Sequence, residues 1–227
     1  MNYQIFGEPL PAVTIDLAQG ESIFTESGGM AWMTDGIKMD TNMRGGLFKG
    51  LGRMVSGESI FMATYTAERP SCQITIASSF PGCIIPLDLS DGTQYICQKS
   101  AFLCAQPTVE LSMDAKRGAK GGLFGGEGFI MQRLSGSGIA FVELDGSIVK
   151  KTLAPGEKLV CDTGNVALYE STVGYSAQMV KGFKNILFGG EGLFLTTLTG
   201  PGTVWLQTMT MPDFAGRLIP YLPASKS

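Results

Sequence analysis

Nucleophilic, acid–base and metal chemistry all draw on a short list of side chains, and this 227-residue sequence lacks histidine altogether. That absence removes Ser-His-Asp and Cys-His catalysis, along with every histidine-ligated zinc, iron or copper site. Cys72, Cys83, Cys97, Cys104 and Cys161 remain, odd in number and without a C-x-x-C pair. They stand mostly inside apolar runs, so they read as reduced core residues rather than as a disulfide framework or a metal site, which favours a reducing compartment. Two carboxylate pairs, Asp88 with Asp91 and Asp35 with Asp40, have the ligand chemistry for calcium or magnesium; solvated loop positions explain them more simply.

The remaining chemistry is cationic. Basic residues precede or punctuate three glycine-rich stretches: Arg44, Lys49 and Arg53; Lys116, Arg117 and Lys120; Lys181 and Lys184. Lysines and arginines beside exposed glycine amides are the ingredients of an anion site. Charged loops that keep the protein soluble need the same residues. None of the glycine stretches has the G-x-x-x-x-G-K-[ST] form, and none lies between a strand and a helix as a dinucleotide fingerprint must. No catalytic, cofactor or metal residues can be assigned, and the chain is not expected to be an enzyme or to need a cofactor.

The elements that carry these residues are organised as a repeat. Leu123-Phe124-Gly125-Gly126-Glu127-Gly128 recurs as Leu187-Phe188-Gly189-Gly190-Glu191-Gly192, an offset of 64 positions. Leu89-Ser90-Asp91-Gly92 and Leu153-Ala154-Pro155-Gly156 share that offset without a gap. A more diverged copy comes first, with Leu17-Ala18-Gln19-Gly20-Glu21, Gly45-Gly46-Leu47-Phe48 and Ser56-Gly57-Glu58. Three units at 1–71, 72–138 and 139–211 and a tail at 212–227 follow from this alignment.

Each unit reads as strands. Asp145-Gly146 between Phe141–Leu144 and Ser147–Val149 predicts a two-residue hairpin. Ile139–Val142 and Val204–Leu206 are apolar on both faces, which suits sheets packed against neighbouring units. The recurring Gly-Glu pairs predict turns with a positive-φ glycine; a set of acidic ligands is the alternative. The strand Tyr3–Phe6 and its counterpart Thr203–Leu206 have no flanking unit on one side, so the two ends are expected to meet. Asp213–Ile219 is expected to form a short helix that Pro220 ends.

Composition bounds the function. Only 16% of residues are charged, 44% are hydrophobic and the net charge is −3. Little charge is available to coat an isolated surface, so a homo-oligomer is expected. The balance gives no attraction to nucleic acid. No apolar run reaches the roughly 18 residues of a spanning helix, and Met1–Leu17 lacks the pattern of a signal peptide, so a cytoplasmic, non-transmembrane protein is expected.

With the glycine–glutamate segments Gly121–Phe129 and Asn185–Phe194 as its most specific part, the chain from about Tyr3 to Met211 resembles the altered-inheritance-of-mitochondria family, a mitochondrial biogenesis family formerly described as a domain of unknown function, in a bacterial-type form. The resemblance implies an all-β fold of three tandem β-sandwich-like units, each similar to a subunit of the tryptophan RNA-binding attenuation protein and packed as one body. It also implies trimeric assembly, and it supplies no catalytic residues. The extra segment Lys49–Val55 and the absence of an Arg-rich, Ser-rich presequence depart from the mitochondrial members. The expected function is a non-enzymatic oligomeric scaffold or interaction protein, partnered by itself and by an unknown protein or small ligand. The alternative is a binder of a small anionic ligand or lipid headgroup at the basic glycine-rich loops.

Overall fold

The computed structural model describes residues 1–26, 28–41, 62–114, 130–179 and 194–222, and within them the chain is almost wholly β. An opening strand β1 (Asn2–Phe6) precedes β2 (Ala12–Leu17), β3 (Ser22–Glu26), β4 (Met30–Met33), β5 (Ile37–Asp40), β6 (Met62–Ala67) and β7 (Cys72–Ala77). Next come β8 (Gly82–Asp88), β9 (Tyr95–Gln98), β10 (Phe102–Ala105), β11 (Val109–Met113), β12 (Met131–Gly136) and β13 (Ile139–Asp145). The last set is β14 (Ile148–Leu153), β15 (Lys158–Asp162), β16 (Val166–Glu170), β17 (Gly174–Met179), β18 (Phe194–Thr199) and β19 (Gly202–Gln207), followed by helix α1 (Met211–Leu218).

Four sheets result. Their strand orders are β1-β2-β7-β4, β5-β6-β3-β10-β13-β8, β11-β12-β9-β16-β19-β14 and β15-β18-β17. From β2 onward, every six consecutive strands divide in the same way. The first, third and sixth enter one sheet with the sixth between the others; the second, fourth and fifth enter the next sheet with the fifth in the middle. Consecutive sets are joined by one pairing, β3 with β10 and β9 with β16.

Three apolar cores hold the sheets together. Ile15 and Ile74 of the first sheet pack with Tyr65 and Phe141 of the second. Phe24, Phe102 and Val142 of the second meet Cys97, Leu134 and Trp205 of the third. Ile96, Tyr169 and Val204 of the third meet Leu198 of the fourth. The two inner sheets are therefore lined by core on both faces, which explains the unbroken burial of β10 and of the centre of β13. Alternation still sorts the side chains: Phe141 faces one core while its neighbours Ala140 and Val142 face the other.

Asp145-Gly146 does not make a hairpin. Gly146 takes φ 69, as the turn requires, but β13 is flanked by β10 and β8 while β14 pairs with β19. The turn hands the chain from the second sheet to the third. Asp-Gly chemistry favours a sharp reversal, but pairing is decided by which edges remain open, and both edges of β13 are taken. The two end strands expected to meet do not pair with each other within the chain, and of the two only β1 is an outer strand. β1 lies along β2, and β19 sits between β16 and β14. Helix α1 begins two residues before the expected Asp213, because Thr210 Oγ1 accepts a hydrogen bond from Asp213 N at 3.2 Å and caps the first turn. A 3₁₀ turn over Ile219–Tyr221 contains Pro220, and the Phe214 ring meets Phe80 edge-on at 4.9 Å.

Candidate functional site

The eight basic residues singled out by the sequence, Arg44, Lys49, Arg53, Lys116, Arg117, Lys120, Lys181 and Lys184, all lie outside the described residues, as do the glycine–glutamate segments at 56–58, 125–128 and 189–192. The strands that flank them are described. The chain leaves β5 at Asp40 and resumes in its antiparallel neighbour β6, leaves β11 at Met113 and resumes in β12, and leaves β17 at Met179 and resumes in β18. These are the same two positions in each set of six strands. The three basic stretches thus join equivalent paired strands.

The remaining Gly-Glu pairs are turns. Gly20 and Gly156 have φ 85 and 79. Glu21 Oε2 accepts from Ala18 N at 2.8 Å, and Glu157 Oε2 accepts from Ala154 N at the same distance. Each carboxylate closes the turn that opens the next strand. In the middle set the job passes to Asp91, which accepts from Thr93 N at 2.8 Å, while Asp88 accepts from Ser90 N at 2.9 Å. Hydrogen bonds from Ser90, its hydroxyl before its backbone N–H, lower the pKa of Asp88, and those from Thr93, its backbone N–H before its hydroxyl, lower that of Asp91. Asp35 is paired with Arg69. Among the described residues no cluster of three or more cysteine or carboxylate groups could hold a metal.

No described cysteine is bonded to another. Burial pushes the Cys97 thiol up to about 12 and Cys161 to about 11, and raises Cys83 and Cys104 as well. A nucleophilic thiol needs the opposite shift.

One acidic neighbourhood spans strands from different sets. Glu143 on β13 accepts from Ser78 Oγ at 2.6 Å, Ser79 N at 2.7 Å and Ser79 Oγ at 2.8 Å, fastening the link between β7 and β8. Burial raises the pKa of Glu26 on β3, with Lys99 opposing and Glu143 reinforcing the shift. Burial and the Glu143 charge raise Asp145 from 3.8 to about 6. A folded value above the unfolded one means that the folded protein binds the proton more tightly. This contribution is complete below the unfolded pKa and is lost as pH rises through about 6. Asp145→Asn is therefore expected to stabilise the protein by about 1 kcal/mol at pH 7.5, after allowance for partial solvent screening, and to change little at pH 3.5. Urea titrations at the two pH values check it. Equal effects at both would contradict the assignment.

A shallow depression of about 550 Å³ is bordered by Met1, Asp16, Gln19, Glu21, Pro70 and Gln73. Buried polar side chains are satisfied inside the fold among the described residues. Gln98 Nε2, for example, donates to Gly164 O at 3.0 Å and Val166 O at 2.9 Å, latching β9 to the start of β16.

What stands out instead is apolar surface. Phe6, Leu10, Trp32 and Met33 are exposed around the first sheet, where the Phe6 and Trp32 rings lie 6.4 Å apart. Val160 is exposed on the fourth. Trp32 and Met33 belong to β4, and Val160 to β15, and among the described residues each of these strands is an outer strand of its sheet, paired on one side only. Sequence reasoning missed them, because it located the open ends at Tyr3–Phe6 and Thr203–Leu206. The repeat arithmetic held the signal: the strand type that links one set to the next must lack a partner at each end of the series.

Known proteins resemble this chain in sequence and in fold. An uncharacterised protein of Streptococcus pyogenes serotype M6 is 32% identical over 226 residues, spanning 96% of this chain and 89% of its own length. The crystal structure of protein SPYM3_0169 from Streptococcus pyogenes matches with a TM-score of 0.77 at 30% identity, over 97% of this chain and 99% of that one. The family model described as mitochondrial biogenesis AIM24 matches residues 3–209. No helix among the described residues is long and apolar enough to cross a membrane. The chain belongs to the mitochondrial biogenesis AIM24 family.

Proposed function

We propose that the protein is a non-enzymatic scaffold or interaction protein that works as a homo-oligomer, a trimer in the simplest case, in the cytoplasm. The observation that carries this reading is the exposed apolar side chains Trp32, Met33 and Val160, on strands that are each paired along one edge only among the described residues. A bare apolar sheet edge is an aggregation hazard that folded proteins cover. The low charge content points the same way. On this reading the chain is three units at 1–71, 72–138 and 139–211 with a tail at 212–227, each unit akin to a subunit of the tryptophan RNA-binding attenuation protein. Function resides in sites rather than folds, so nucleic acid is not a partner of this acidic surface. Light scattering of the full chain at micromolar concentration is expected to give a multiple of 24.1 kDa. A single-chain mass would overturn the reading.

A second reading has its own observation. The three basic glycine-rich stretches join equivalent strand pairs, β5–β6, β11–β12 and β17–β18, so the fold repeats them as a set. That suits a protein that binds a small anionic ligand or lipid headgroup with Arg44, Lys49, Arg53, Lys116, Arg117, Lys120, Lys181 and Lys184.

A further inference from the structure

The two junctions inside the chain are built to one register. Phe24 of β3 lies opposite Ala105 of β10, and Thr25 opposite Cys104. Ile96 of β9 lies opposite Tyr169 of β16, and Cys97 opposite Leu168. These pairs occupy equivalent places, because β10 and β16 are aligned by the same irregularity. Each carries a bulge against its own neighbour, between Phe102 and Cys104 against β13 and between Val166 and Leu168 against β19. β4 has the same bulge, between Met30 and Trp32 against β7. Trp32 and Met33 therefore correspond to Cys104 and Ala105, and to Leu168 and Tyr169. On the other side, Ser22, Lys158 and their partners Thr66 and Thr199 start β3 and β15 in the same register, so Val160 and Cys161 correspond to Phe24 and Thr25.

Burial separates the made junctions from the unmade one. Ile96, Ala105, Tyr169, Cys104 and Leu168 are all 0% exposed. Their counterparts Val160, Met33 and Trp32 are 58%, 36% and 56% exposed. Among the described residues no core contains side chains of both the first and the fourth sheet, so the two open edges stand at the two ends of the succession of sheets.

We propose that β15 of one copy pairs antiparallel with β4 of a second copy, head to tail, with Leu159 opposite Thr34, Val160 opposite Met33 and Cys161 opposite Trp32. The inference rests on the oligomeric reading above and names the surface that makes the oligomer. Joined in this way, the outer sheets run β17-β18-β15-β4-β7-β2, the strand order of both inner sheets, with β1 beyond β2. The contact is heterologous: each copy offers one edge of each kind, so copies add until a ring closes.

The test uses the full chain with Val160→Arg and Met33→Arg, each of which buries an unpaired charge in the proposed junction but sits at the surface of a single copy. Sedimentation at micromolar concentration is expected to give an oligomer for the unaltered protein and single chains for each variant, at least a tenfold loss of association. Mixed together, the two variants each keep one good edge and are expected to form a one-to-one pair and nothing larger. Hydrogen exchange of the unaltered protein needs no substitution: amides at 158–162 and 31–34 are expected to exchange more slowly as concentration rises. An unaltered protein that sediments as one chain overturns both this inference and the oligomeric reading. An oligomer that survives both substitutions, a mixture that stays monomeric, or exchange independent of concentration overturns the edge pairing alone.

Discussion

Phe141→Ala is expected to cost about 3–5 kcal/mol of stability, close to the whole margin of many domains. Phe141 is fully buried in the centre of β13, between the first and second sheets. The Tyr3 ring meets it edge-on at 4.9 Å, so the substitution removes an aromatic pair as well as leaving a void. Of the core around it, Ile15, Ile23, Tyr65 and Ile74 come from strands paired on both sides and have little room to collapse into the space. Denaturant unfolding of the variant should show a midpoint far below that of the parent. Tyr3→Ala, on an edge strand and 39% exposed, should cost much less. Equal costs for the two would mean that the outer strand, not the core, carries the contact.

Gly82→Ala should be of comparable severity for a different reason. Gly82 opens β8 opposite Asp145, and a Cβ there would lie 1.9 Å from the backbone oxygen of Leu144. A flexible side chain could swing aside, but a carbonyl inside a ladder cannot move without taking the strand with it. β8 must then pull away from β13 at that end, at about 3 kcal/mol or more. Thermal melting of the variant checks this. A shift within about 2 °C would show that the two strands have slack at their ends.

The all-β class was legible because β-branched and aromatic residues fill the runs and glycine marks the turns between them. Burial on both faces was legible too, at Ile139–Val142 and at Val204, since a strand apolar at every position has no face to spare for water. Partners were not. Alternation tells which way a side chain points, and Asp145-Gly146 tells where the chain reverses, but neither says which strand lies alongside. That is why the chain crosses between sheets where a hairpin was expected. The candidate surface was hidden for a related reason. Phe24, Ile96 and Val160 are all apolar, as their equivalence demands, and nothing local distinguishes the exposed one from the two that are covered. Phe24 and Ile96 are each succeeded by another set of six strands that supplies a partner, and Val160 is not.

The two inner sheets each serve as the floor of one core and the ceiling of the next. A solenoid whose modules touch only through modest interfaces can fray from one end, losing a module at a time. Here the layers do not coincide with the modules. Melting the last six strands would strip β16, β19 and β14 from the third sheet and leave β9, β11 and β12 with a naked apolar side, so the loss of one part undermines its neighbour. The protein repeats its strand order but shares its sheets between consecutive sets of strands, so the three sets are expected to melt in one transition rather than one after another.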